Sequence, residues 1–304
     1  MRNMFANYLS EKAKKNKKIY FVVADISPAG NLKTFQKNFK GRFINVGVSE
    51  QAMIGISAGL ALNKKIPFAY TIATFSLFRP FEMVRVDLCY QNLPVTVVGM
   101  GSGTIYSTLG GTHLTQEDIS IARSLPNMKI LAPCDPEELK ECLNYCIKNK
   151  KGPIYLRIGK SGEPNLTKNA IEKWKFGKIR KLINGKDYCV LTYGPITKMA
   201  FEIKNSLEKK NKSTSIYSVH TLKPVDTSRL KQIEKKYKKI IVIEDHSEIG
   251  GLASICKENF TNKSKLITFS LKDKFIHNFG SQSSLLDDHG ISLKKILKKI
   301  NYEV

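Results

Sequence analysis

The stretch FINVGVSEQAMIGISAGLALN, residues 43–63, decides the fold. A short apolar strand reaches Val46, Gly47 permits a turn, and a helix starts at Ser49-Glu50-Gln51. Along that helix Met53, Ile54, Ile56, Leu60 and Leu62 leave little polar surface, as suits a helix packed on more than one side. Glu50 thus enters apolar surroundings as a carboxylate, and an unpaired buried charge is costly or becomes protonated. Free N–H groups and the positive dipole end at the helix start supply part of the compensation. Spacing alone leaves two readings open: an exposed first-turn acid that complements the dipole, or a buried acid that needs a partner.

Working outward, residues 19–24 (IYFVVA) follow a helix over about 3–15 and form an unbroken apolar run, the pattern of a parallel strand covered on both faces. Asp25 then sits at the carboxyl end of the sheet, where ligands of open α/β folds bind. Beyond the central helix, strand 66–73 leads to Phe75, Phe78 and Phe81, whose spacing of three allows one aromatic wall on a helix or 3₁₀ start, although periodicity alone favours a core stripe. Strand 94–98 feeds GMGSGTIYSTLGG. Its glycines lack the offset of a dinucleotide loop and open no helix, so the segment reads as a substrate loop, with His113 following in GGTH. A helix over TQEDISIARSL, strand 128–132, helix 137–148 and strand 154–158 complete an alternation that predicts a doubly wound sheet.

Residues 161–186 are polar and Gly/Pro-punctuated, and read as a linker with some extended structure. Strands at 188–193, 215–219 and 240–244 then alternate with helices at 196–208, 229–237 and 252–258. Gly250-Gly251 ahead of the last helix is a tight turn or an anion cradle, and the Glu244, Asp245, His246 cluster is not read as catalytic.

With 304 residues the chain holds two ordinary domains, and 42% hydrophobic with 25% charged residues is globular. No apolar run reaches membrane-spanning length, and the N-terminus lacks the apolar core of a secretory signal, so a cytoplasmic protein is expected. Six cysteines without a CxxC pair read as buried thiols. A net charge of +24 raises nucleic-acid binding, but the lysines lack interleaved aromatics or a docking motif, so a solvated basic surface is expected instead.

Three segments, GVSEQAM, YTIATFSLFRPFE (70–82) and GGTHLTQED (110–118), together resemble in order and spacing the pyrimidine-binding domain of transketolase and its thiamine diphosphate-dependent relatives. The resemblance continues through the C-terminal third. It implies an α/β protein of two doubly wound domains: a pyrimidine-binding domain with a mostly parallel sheet over 1–162, a linker over 163–186, and a smaller transketolase C-terminal domain with a mixed sheet over 187–304. By the same resemblance Glu50 hydrogen-bonds the aminopyrimidine ring of thiamine diphosphate, Phe75, Phe78 and Phe81 line that ring, and Asp25 lies near it. His113 faces substrate oxygens as a donor or proton shuttle, while Arg2 and Arg157, the latter near Lys160, stand at or next to positions that hold a substrate phosphate. Without the resemblance, His113 reads as a surface histidine and Arg2 as a loose terminal residue.

Two departures from the family pattern concern the substrate. Leu109 replaces an acidic residue that reads a sugar hydroxyl, and Gly101 replaces a histidine, which points away from ordinary pentose phosphates. Tyr106 is a candidate replacement hydroxyl. A third absence concerns the cofactor: family members hold Mg²⁺ and the diphosphate through a GDG motif and an asparagine in a separate N-terminal domain, and no GDG occurs in this chain. The resemblance therefore implies the C-terminal half of a split enzyme, partnered by a Mg²⁺-binding subunit in a heterotetramer of two copies each. That enzyme transfers a two-carbon ketol unit from a ketose to an aldose, with sugars or sugar phosphates as substrates. The alternatives are 1-deoxyxylulose-phosphate synthesis, the β-subunit role in a 2-oxo acid dehydrogenase, and a non-enzymatic basic binding module.

Overall fold

The computed structural model describes residues 1–25 and 31–302. In chain order, α1 (Arg2–Lys15), β1 (Ile19–Val23), α2 (Leu32–Asn38), β2 (Phe43–Asn45), α3 (Glu50–Leu62) and β3 (Ile66–Ile72) open the first unit. Then come α4 (Ala73–Leu77), the single turn α5 (Phe81–Met83) with a π-helical continuation Val84–Tyr90, β4 (Thr96–Met100), α6 (Asp118–Ser124), β5 (Lys129–Leu131), α7 (Pro136–Lys148) and β6 (Ile154–Ile158). The second unit holds β7 (Arg180–Ile183), β8 (Tyr188–Thr192), α8 (Thr197–Glu208), β9 (Thr214–Ser218), β10 (Thr221–Lys223), α9 (Thr227–Lys236), β11 (Lys239–Ser247), α10 (Leu252–Asn259), β12 (Leu266–Leu271), α11 (Gln282–Asp288) and α12 (Leu293–Tyr302).

Two sheets result, ordered β10-β5-β6-β4-β3-β1-β2 and β12-β11-β8-β9-β7. The first is parallel except for β10 against β5, and the second is mixed because β7 runs antiparallel to β9. The expected alternation of strands and helices is met with ends shifted by up to three residues, and α2, β12, α11 and α12 come in addition. Apolar runs became fully covered strands for the expected reason. One face of the first sheet packs Phe21, Phe68 and Leu156 against Phe5, Leu9, Leu139 and Leu143, while the other packs Val22, Ala69 and Val97 against Met53, Ile54 and Leu88. That second cluster continues without a break through Leu191, Val242, Leu252 and Ile255, so the two units share one core.

Two expectations meet corrections here. The stretch read as a linker contains β7, an edge strand of the second sheet, and β10 leaves the second unit to pair with the edge of β5, where Ala132 N–H donates to the His220 carbonyl at 2.8 Å. Each covers the row of unpaired backbone groups that a free edge would leave. The helix expected to pack on several sides buries, after Glu50, only Met53, Ile54, Ser57, Ala58 and Ala61. Ala52, Gly55 and Ile56 are exposed along its outer side, and Val48 before it is 69% exposed.

All six cysteines are unpaired and buried, and no helix among the described residues is long and apolar enough to cross a membrane.

Candidate active site

Glu50 occupies the first turn of α3, so its carboxylate meets the helix N-terminus. It is buried, at 3% exposure, which settles the choice left open by spacing. Its charge is met by Arg79, whose Nη1 donates to Oε1 at 2.9 Å, the one hydrogen bond to this carboxylate among the described residues. Arg79 lies in the turn between α4 and α5, just before Pro80, and its guanidinium stacks 4.0 Å from the centre of the Phe75 ring. The partnership went unread in the sequence; its one trace is a lone cation inside an aromatic segment.

Phe75 is the aromatic that joins this site. Its far neighbour is His113, with ring centroids 5.2 Å apart in an edge-to-face arrangement. Thr74 holds the two segments together: its hydroxyl donates to the Leu114 carbonyl at 3.1 Å and pairs with the Thr115 hydroxyl at 2.8 Å. Phe78 and Phe81 are half-buried and lean on the core beneath α3 instead. They follow the core stripe that periodicity favours, and the three rings do not share one side because α4 ends at Leu77 and Pro80 starts a new turn.

Beyond His113 the ring of Tyr106 follows at 6.2 Å, and Lys160 lies over that ring at 4.8 Å. Arg2 joins this end, its backbone N–H donating to the Lys160 carbonyl at 3.1 Å and its Nε buried without a hydrogen-bond partner among the described residues. Burial pushes the Tyr106 hydroxyl above its ordinary pKa, with Arg2 acting in the opposite sense. The hydroxyl itself is turned inward onto the Met100 sulfur at 3.1 Å, so Tyr106 does not offer it as the replacement group suggested above. Gly101 explains the lost histidine: with φ of +69° and a Cβ that would fall 2.2 Å from the Tyr106 ring, the position has no room for a side chain.

Asp25 is exposed at the end of β1, and Asn45 accepts from both the Asp25 and Gly47 N–H groups, at 3.3 and 3.0 Å. It therefore stands beside the turn that delivers Glu50. Arg157, expected near a phosphate, is corrected by its surroundings. It is 2% exposed inside β6, donates to Asp118 at 2.8 Å and to the Asp245 carbonyl at 2.8 Å, and thus joins the two units. Burial opposes its charge, and Asp118 with Tyr193, Tyr155 and Asp245 outweighs that penalty.

The C-terminal unit also shapes the His113 loop. Asp245 accepts from the Thr104 N–H and hydroxyl at 2.9–3.1 Å, and Gln116 Nε2 donates to the Lys274 carbonyl at 3.4 Å. Phe279 covers Gly110, where φ is +75° and a Cβ would lie 2.5 Å from the phenyl ring. Gly110→Ala is accordingly expected to cost about 1–3 kcal/mol through backbone strain and the clash. In urea unfolding, adding Phe279→Ala should recover the clash but not the strain; an unchanged midpoint for Gly110→Ala would refute this bracing.

An acid at the head of α3, a ring on α4 and a histidine loop thus meet in the first of two joined α/β units, an arrangement that matches the resemblance to thiamine diphosphate-dependent pyrimidine-binding domains. The match extends to family models, "Transketolase, pyrimidine binding domain" over residues 1–164 and "Transketolase, C-terminal domain" over 177–296, and the chain belongs to the transketolase family. It is 31% identical over 260 residues to one of the subunits of apulose-4-phosphate transketolase from Phocaeicola vulgatus, covering 86% of this chain and 83% of that one. It is 34% identical over 302 residues to 1-deoxy-D-xylulose-5-phosphate synthase of Dictyoglomus thermophilum, covering 98% of this chain but only 48% of that protein. Among solved structures, a split gene transketolase described as an inactive β4 tetramer superposes with a TM-score of 0.87 at 29% identity, covering 99% of this chain and 97% of that one.

Proposed function

We propose that this chain is the pyrimidine-binding half of a two-chain transketolase, inactive alone and completed by a subunit that carries the diphosphate and Mg²⁺ site. The observation that carries the proposal is Glu50: a buried carboxylate with one hydrogen bond, at the head of a helix whose apolar outer side is open. A helix apolar on all sides is normally covered on all sides, so a second polypeptide is the natural occupant of Val48, Ala52, Gly55 and Ile56. The relatives named as a transketolase subunit and as a split gene product agree with it. A heterotetramer of two copies each, in the cytoplasm, is the assembly proposed.

The residues present fit the cofactor's pyrimidine ring. Glu50 would hydrogen-bond the ring nitrogen and favour the form in which that nitrogen carries a proton, Phe75 would offer a flat face, Phe78 and Phe81 would support it, and Asp25 would border the same end of the sheet. When bound, thiamine diphosphate supplies the electron sink that lets a carbon–carbon bond beside a ketose carbonyl break. His113, edge-on to Phe75, would donate a hydrogen bond to a substrate oxygen or carry its proton. Arg2 and Lys160, on the far side of Tyr106, would meet a terminal phosphate of the sugar; Leu109 contributes no hydroxyl-reading group, so the proposed substrate is a ketose phosphate outside the ordinary pentose set.

The test is reconstitution with the subunit that carries GDG. Two-carbon transfer from a ketose phosphate to an aldose, from the pair and from neither chain alone, is expected. Release of carbon dioxide from pyruvate would instead favour the synthase or 2-oxo acid reading, to which the half-length match to 1-deoxy-D-xylulose-5-phosphate synthase lends weight. Salt-sensitive binding of nucleic acid without cofactor binding would overturn both.

A further inference from the structure

We propose that Arg79 is a latch: in the lone subunit and in the cofactor-free pair it occupies the two groups that the pyrimidine ring needs, the Glu50 carboxylate and the face of Phe75, and it swings out as the cofactor enters. This rests on the pyrimidine-binding role of Glu50 argued above. A planar guanidinium that lies on an aromatic face and donates an N–H to a carboxylate presents the recognition elements of a flat heterocycle bearing a ring N–H donor. Arg79 does both at once, at 4.0 Å from the Phe75 centroid and 2.9 Å from Glu50 Oε1. Two planar groups cannot use the same ring face and the same oxygen together.

The form of the contact argues for a movable group over a fixed brace. A brace is bidentate and buried. Here one prong, Nη1, makes the bond, and the Arg79 side chain is 44% exposed where that of Glu50 is 4% exposed. The turn that carries Arg79 lies between two short helices, so the side chain can leave without disturbing a sheet. A temporary partner has a physical purpose, since a buried carboxylate left alone in the free subunit would be costly. Arg79 meets that need until the cofactor arrives.

The latch has a measurable consequence. A half-exposed ion pair and a cation–π contact together favour the closed arrangement by roughly three- to thirtyfold, and apparent affinity falls with the fraction of sites that are open. Arg79→Met, which keeps the stem and drops the guanidinium, should therefore bind thiamine diphosphate roughly three- to thirtyfold more tightly than the parent, measured by calorimetry on the reconstituted pair with Mg²⁺. The same substitution should lower the thermal midpoint of the lone subunit and leave that of the cofactor-loaded pair unchanged. A merely structural arginine would lower both. Weaker or unchanged binding by Arg79→Met overturns the latch. Glu50→Gln measured alongside separates the two failures: if it weakens binding while Arg79→Met does not tighten it, only the latch is wrong, and if it binds as the parent does, the pyrimidine-binding role of Glu50 fails as well.

Discussion

Glu50→Gln in the reconstituted pair is expected to reduce turnover by about 10²–10³-fold while the chain folds normally. The substitution is nearly isosteric, and its amide oxygen can still accept from Arg79, so packing beneath α3 has no reason to change. What is lost is the charge, in a place where little water reaches and where an electrostatic contact is correspondingly strong. The effect should fall on kcat more than on KM for the sugar, because Glu50 is argued to act on the cofactor and not on the substrate. Steady-state kinetics at saturating cofactor would check this, with circular dichroism to establish the fold. Activity within about threefold of the parent would remove Glu50 from the mechanism.

The depth to which this site could be read from the sequence follows the range of the interactions involved. The α3 segment was legible because strand, turn glycine and helix head are local, and an acid at the start of an apolar helix announces its own need for a partner. The partner was not legible. Arg79 reaches Glu50 across 29 positions by way of a turn set by Pro80, and no periodicity in that segment reports where the guanidinium goes. Aromatic spacing alone favours a core stripe, and Phe78 and Phe81 do lean on the core, while the break between α4 and α5 leaves Phe75 beside Glu50.

The fold was read well where apolar runs and helical patterns carried it, and poorly at the edges of the sheets. β7 and β10 are short, and β7 is mostly half-exposed. Their pairing is decided by which backbone edges happen to be free in three dimensions. The same limit applies to Arg157. Its neighbours Ile154, Tyr155, Leu156 and Ile158 mark a strand covered on both sides, which places a charge at that position in the interior, but the acid that accepts it lies 39 positions earlier.

Arg157 carries the second large effect. Arg157→Met should destabilise the chain by about 3–5 kcal/mol, because removing one member of a buried ion pair leaves the other desolvated and unpaired. Among the described residues Asp118, with no exposure, would keep the Tyr155 hydroxyl at 2.7 Å on the same oxygen and His246 Nε2 at 3.8 Å from the other, and the link from β6 to the Asp245 carbonyl would vanish. The loss should therefore appear in urea unfolding as a lower midpoint, and as earlier separation of the two units in hydrogen exchange at Thr104 and Asp245. Asp118→Leu combined with Arg157→Met should regain part of the stability, since no charge is left buried and unpaired, while the Tyr155 hydroxyl and the Asp245 carbonyl still lose their partners. A loss below about 1 kcal/mol for Arg157→Met would mean that the shared apolar core alone joins the units. If stability held while KM for a phosphorylated sugar rose sharply in the reconstituted pair, Arg157 would belong to the phosphate site after all, and its burial among Asp118, Tyr155 and Tyr193 would describe only the unassembled chain.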